Sequence, residues 1–319
     1  MRTVFPLFLL LTFVVGCAAQ TPATVQYDGL PGVALYRHGY LFSWNSPQYT
    51  EITFYHADSR PVYSVIEHKD AIYHVGWAVD SDGLAAGVYE TRSPWEGRID
   101  LFNASGKRIR TINTGSYVPQ RVIFAPDHTI WTVSYETGND GSKRDFDVLH
   151  HYARTGQELG QALPWSQIAG DHNSYTALQP IVGSRWMYAV DDRIGFEALS
   201  NYESHTWIEV SYSGALLGKY DLGRYDDLCY EPLAMTAGGA VYAAIYKDNQ
   251  FEGWAALDRS QKTWQKITGY PKGRIIGSDG ENLVFSHREG ASTILQFVPT
   301  GTLQAENPQL QNIALAIKR

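Results

Sequence analysis

The chain has only two cysteines in 319 residues, Cys17 and Cys229. A disulfide framework is therefore excluded, and stability must come from an apolar core. Basic clusters are missing too. The net charge is −7 and no run of Lys and Arg is long enough to leave a nucleic-acid footprint, so that class of partner is set aside. No stretch carries the sustained 3.6-residue periodicity of a long helix. There is no G-x-S-x-G elbow, no P-loop and no H-E-x-x-H. Ser43, in "GYLFSWNSP", lies between apolar residues on a strand and reads as structural. The apolar run from Val4 to Val15 is too short to span a bilayer.

What is present is 44% hydrophobic and 13% aromatic, with 21 Tyr and 9 Trp. That supports a sizeable core, in one large domain or two ordinary ones. Tyr and Trp suit strands, and exposed ones suit binding faces.

The N-terminus reads as a leader over residues 1–19. Arg2 precedes the apolar run, and Val14-Val15-Gly16-Cys17 resembles the lipobox of bacterial lipoproteins, in which the Cys receives the lipid. That resemblance implies export to a bacterial cell envelope with a lipid anchor on Cys17. The other reading is ordinary signal-peptidase cleavage after Ala19 or Gln20, which gives a periplasmic or secreted chain. In both, Cys229 is left without an internal partner and reads as a small buried hydrophobe.

The remainder, residues 24–319, repeats. "RIDLFNASGKRIRTINTG" (98–115) is an alternating strand, an Asn-Ala-Ser-Gly turn and a second strand. Similar hairpins begin at 52 ("ITFYHADSRPVYSVI"), 148 ("VLHHYARTGQELGQAL"), 208 ("IEVSYSGALLGKYDLG"), 255 ("AALDRSQKTWQKITG") and 294 ("ILQFVPTGTLQAEN"). Each is preceded by another hairpin. The expected turns of these lie at Gly39, Asp82-Gly83, Asp127-His128, Gly183-Ser184, Gly238-Gly239 and Asp279-Gly280. The interval, roughly 40 to 55 residues, is that of a four-stranded propeller blade. A lone blade leaves two sheet faces uncovered; radial packing of several buries them. The expectation is an all-β, six-bladed β-propeller of four-stranded antiparallel blades. The ring closes either with "TVQY" (24–27) or with "NIALAI" (312–317) as an added outer strand.

Two elements carry a family resemblance. "RIDLFNASGKRIRTI" resembles the strand-turn-strand of NHL repeats, and "VIFAPDHTIWTV" resembles an element of SMP-30-like and streptogramin-lyase-like propellers. The resemblance implies the propeller fold. It does not transfer an active site, since neither the Glu, Asn and Asp set of the SMP-30 type nor the His-centred site of the lyases is found here.

Function is expected on one face. There the outer strand of each blade hands over to the next inner strand, and the second and third strands are joined by polar connectors. The segment "GRYDDLCYEP" supplies Arg224, Tyr225, Asp226, Asp227, Tyr230 and Glu231 in ten residues, and "GDHNSY" supplies Asp171 and His172. The loops "GSYVPQR" and "GYPKGR" add Arg121 and Arg274. These are the candidate ligand-binding residues. His74, His172, Asp227 and Glu231 form a candidate Ca²⁺ or Zn²⁺ set, although no local ligand spacing supports it and solvated loop polars account equally for the residues. The expected role is binding or scaffolding of a glycan, a peptide or another envelope protein. The alternative is a hydrolase or lyase, metal-assisted or not, in the central funnel.

Overall fold

Turn chemistry shapes the hairpins. Asn103 Oδ1 accepts the backbone N–H groups of Ser105 (3.1 Å) and Lys107 (3.0 Å), and Gly106 N–H donates to Asn103 O at 2.8 Å. Gly106 sits in the left-handed region at φ +76°. The same bond across three residues, ending on a left-handed residue, closes Asp80–Gly83, Ala125–His128, Ala153–Gly156, Ser211–Gly214 and Thr236–Gly239. This is the turn that twists a hairpin with the right hand for a sheet.

The computed structural model describes residues 24–28, 32–36, 39–45, 49–56, 61–68, 72–91, 96–136, 145–169, 187–200, 204–224, 227–278, 280–290 and 292–305. Side chains are described within 76–134, 145–168, 187–198, 205–224, 227–278, 280–290 and 294–303, apart from 92–95 and 225–226 within those or neighbouring spans.

Among the described residues the strands form six antiparallel sheets. β1 (Thr24–Asp28) stands apart from the strands that follow it. Blade 1 is β2 (Gly32–Tyr36), β3 (Gly39–Asn45), β4 (Tyr49–His56) and β5 (Pro61–His68). Blade 2 is β6 (Ile72–Val79), β7 (Ala85–Thr91), β8 (Gly97–Phe102) and β9 (Arg108–Gly115). Blade 3 is β10 (Tyr117–Phe124), β11 (Ile130–Glu136), β12 (Asp147–Tyr152) and β13 (Glu158–Pro164), followed by one short helix, α1 (Trp165–Ala169). Blade 4 is β14 (Met187–Val190), β15 (Arg193–Ser200), β16 (Ser204–Val210) and β17 (Leu216–Asp221). Blade 5 is β18 (Leu228–Met235), β19 (Val241–Lys247), β20 (Gln250–Asp258) and β21 (Thr263–Thr268). Blade 6 is β22 (Arg274–Ser278), β23 (Asn282–Glu289) and β24 (Ser292–Pro299), with β1 as its outermost strand.

The first strands of the blades contact one another in order: β6 with β10, β10 with β14, β14 with β18, β18 with β22, and β22 with β2. They surround an axis, and the protein is a β-propeller. Apolar clusters fill the seams between successive sheets. Val88, Ile99 and Leu101 of blade 2 meet Val122 and Ile130 of blade 3, and Trp254 of blade 5 meets Phe285 of blade 6. Second strands are therefore buried on both faces, whereas the outer strand β9 has Arg108, Ile109, Arg110 and Thr111 exposed.

One of the two expected ring closures is seen, and two other details differ from the expectation. The ring closes with residues 24–28, paired antiparallel to β24; residues 312–317 lie outside the described residues. That placement takes the edge expected for the second half of the hairpin at 294. After β24 the chain instead crosses to β25 (Gln304–Ala305), which pairs with β21 of blade 5. In blade 4 the turn expected at Gly183-Ser184 lies outside the described residues. The hairpin seen in blade 4 is β14–β15, turning at Asp191-Asp192.

Candidate binding site at the connector face

Each inner strand starts at the connector face and ends at the opposite, turn face. An axial cavity, open to solvent, is lined by inner-strand residues such as Arg121, Tyr188 and Gly277 and by the turn residues Asp80, Asp191 and Gly280. Its turn end is held by ion pairs. Asp80 is buried; Arg154 bonds to its carboxylate and to Asp82 Oδ2 (2.6 Å), and His128 Nδ1 lies 2.9 Å from Asp80 Oδ2. These charges satisfy one another and join blades 2 and 3.

The connector end of blades 4 to 6 is different. Glu231 on β18 accepts two bonds from Arg274 Nη2 on β22 (3.0 and 3.2 Å), linking two inner strands across a blade seam. The Tyr246 hydroxyl on β19 also bonds to Glu231. Burial first, then the Glu231 charge, helps push the Tyr246 phenol up, with Arg274 opposing. Opposite Tyr246 in the β19–β20 ladder is Phe251, whose ring centroid is 6.0 Å from that of Tyr246 and 4.8 Å from that of Trp254. Phe251 is 49% exposed. Contacts thus form one row, Phe251–Tyr246 by strand pairing, Tyr246–Glu231 by the hydroxyl and Glu231–Arg274 across the blade seam, from an exposed aromatic face to a half-exposed arginine. Cross-strand neighbours on one face are the natural unit for such a row.

In the next seam, β15 and β16 carry Glu197 and His205, both buried, with His205 Nδ1 2.8 Å from Glu197 Oε1. Glu197 Oε2 is buried and bonds to nothing among the described residues, as does the Tyr188 hydroxyl. Burial raises the Glu197 carboxyl above the ordinary carboxylate range; Glu231 adds to this, while His205 and Arg121 oppose it. Burial is also the main cause that pushes Tyr188 well up, with Glu231 and Glu197 contributing. Glu197, Glu231, Tyr188 and Arg121 therefore share one electrostatic neighbourhood near the axis.

Of the residues singled out in the sequence, Glu231, Arg274 and Arg121 come into this neighbourhood. Tyr230 points the other way from Glu231 and stacks on Trp264 (5.5 Å, 17°). Cys229 is buried; burial, then Glu231 and Glu197, push its thiol up to about 11, which keeps it an unreactive thiol. Residues 228–232 lie on β18 itself rather than on a loop. Asp227 and Arg224 are exposed in the tight turn before it, where Asp227 N–H donates to Arg224 O (3.1 Å) and Asp227 O accepts from Asp248 N–H (2.8 Å). Gly223 (φ +75°) is required there, since a Cβ would stand 2.0 Å from Leu228 O. Tyr225, Asp226, Asp171, His172 and the His74 side chain lie outside the described residues. Among the described residues no three His, Cys, Asp or Glu side chains gather to hold a metal ion, and Glu231 of the Ca²⁺ or Zn²⁺ set is engaged by Arg274.

Glu197, His205, Tyr246 and Phe251 were not singled out in the sequence. The available signal was a Glu inside the apolar strand "IGFEALS", because a carboxylate at a buried strand position needs a partner.

No family model matches the chain, and no curated protein matches it. Among solved structures, the chain is similar to a gluconolactonase from Xanthomonas campestris at 14% identity, covering 87% of this chain and 90% of that one, with a TM-score of 0.46. It is similar to a puromycin hydrolase S511A mutant complexed with PGG at 13% identity and a TM-score of 0.49; 88% of this chain covers 47% of that one. The WD40 domain of Toxoplasma gondii coronin is similar at 8% identity, covering 90% and 89%, with a TM-score of 0.44.

Proposed function

We propose that the protein is an exported, lipid-anchored binding module that takes a glycan, a peptide or another envelope protein at its connector face. The row Phe251–Tyr246–Glu231–Arg274 carries this reading. An exposed ring offers a stacking face, and the carboxylate–guanidinium pair beside it offers donors and acceptors in fixed positions. The test is a binding screen of the purified chain against oligosaccharide and peptide arrays. Binding should be lost in a Phe251→Ala, Arg274→Gln double variant that unfolds at the wild-type temperature. Equal binding by that variant removes this face. The lipid anchor is tested by Cys17→Ser, which should move the protein from the membrane fraction to the soluble one.

A second reading, hydrolysis or elimination in the channel, is favoured by Glu197. A buried carboxyl with a raised pKa and one open oxygen is the form a general acid takes. Glu197→Gln should then abolish turnover of a bound ligand while leaving its binding intact.

A further inference from the structure

Arg274 decides what kind of ligand the connector face suits. All of its hydrogen bonds to protein run through Nη2 to Glu231; its Nε and Nη1 donors carry none among the described residues. Glu231 is only 15% exposed, so the anchoring carboxylate lies below while the guanidinium, at 47%, reaches solvent. An arginine fixed on one side and open on the other presents aimed donors at little further conformational cost. Asp248 and Glu252 are exposed in the hairpin that carries Phe251, so recognition here comes from aimed donors and not from bulk positive charge.

Resting on the binding-module reading, we infer that the ligand is an acidic oligosaccharide. One uronate carboxylate seats on the open donors of Arg274, and a neighbouring sugar ring lies flat on Phe251. From Phe251 to Glu231 the row crosses three adjacent strands, on the order of 10 Å at the usual strand spacing, with Arg274 beyond; that length suits an oligosaccharide better than a single sugar. A sugar ring offers a flat C–H face to the aromatic. An acidic peptide meets the arginine equally well but has no rigid flat face for Phe251.

The experiment is calorimetric titration of the folded chain with uronate trisaccharides of galacturonate, mannuronate and glucuronate. Their methyl esters, a neutral trisaccharide and triglutamate serve as comparisons. At least one uronate trisaccharide is expected to bind, and its methyl ester about tenfold more weakly or worse. Arg274→Gln should lose a similar factor and Phe251→Ala several-fold, both with unchanged unfolding temperature. Equal binding of the ester, or no loss in Arg274→Gln, overturns the acidic specificity and leaves glycan binding standing. If no uronate binds but triglutamate or the neutral sugar does, the inference falls and the binding-module reading stands. If nothing in the titration series or on the oligosaccharide and peptide arrays binds, both fall.

Discussion

Glu197 and Glu209 lie on neighbouring strands of blade 4, both buried, and their surroundings are opposite. Glu209 accepts from Arg193 (2.9 Å), from Arg259 of blade 5 (2.6 and 2.8 Å) and from Trp207 Nε1 (3.0 Å). Burial works against its charge, but Arg259, Trp207 and Arg193 together hold its carboxyl below the usual range. Glu197 has His205 on one oxygen and nothing on the other, and burial wins. The first carboxylate is a strut between blades, saturated and near the turn face. The second is an unfinished site near the connector face. Asp80 and Asp100 resemble Glu209: each is buried and each has an arginine on it. Among the described residues, Glu197 is the buried carboxylate with an open oxygen. Fold and site thus use the same residue type, and the number of partners separates them.

The contrast can be broken most severely at a saturated carboxylate. Arg154→Ala removes the main charged partner of buried Asp80 and leaves half-exposed His128 and the Ser81 N–H and hydroxyl. A loss of about 3 kcal/mol in urea unfolding is expected. A loss under about 0.5 kcal/mol would mean that Asp80 finds water instead. Next in size is Gly195→Ala. Trp207 lies across Gly195, and a Cβ would come within 2.2 Å of its ring, displacing the indole that bonds to Glu209. Overpacking of this kind costs about 1–3 kcal/mol, read as a lowered melting temperature.

A smaller, pH-dependent effect comes from blade 3. His150 is buried, stacked on Tyr117 at 3.5 Å, and burial lowers its pKa to about 4 although Glu158 lies 2.7 Å away. The unfolded chain takes up this proton near pH 6.5 and the folded chain only near 4. Stability from His150 is therefore present above pH 6.5 and lost as pH falls towards 4. His150→Asn should flatten the acid limb of a stability–pH curve. An unchanged acid limb would place the acid sensitivity elsewhere.

Much of the fold could be read from residues that act locally. Asn103 with Gly106, Ala153 with Gly156 and Ser211 with Gly214 mark outer hairpins because a turn needs only its own residues. The pairing of β25 with β21 joins distant segments, and alternation carries no signal for it. The site was half visible. Glu231 and Arg274 stood out as charges beside inner strands, but their bond crosses 43 residues. Glu197 and Phe251 were hidden because their meaning depends on Tyr246 and His205, which other strands bring to them.

The most direct measurement compares Glu209→Gln with Glu197→Gln in urea unfolding at neutral pH, each replacement keeping shape and removing an ionisable group. Glu209→Gln should lose about 3 kcal/mol or more, because Arg193 and Arg259 are left beside a neutral amide. Glu197→Gln should lose less than about 1 kcal/mol. Its raised carboxyl stabilises the fold below the ordinary carboxylate pKa and loses that contribution as pH rises, so little remains to remove near neutrality. Equal, large losses in both variants would contradict the division, since Glu197 would then be a strut like Glu209.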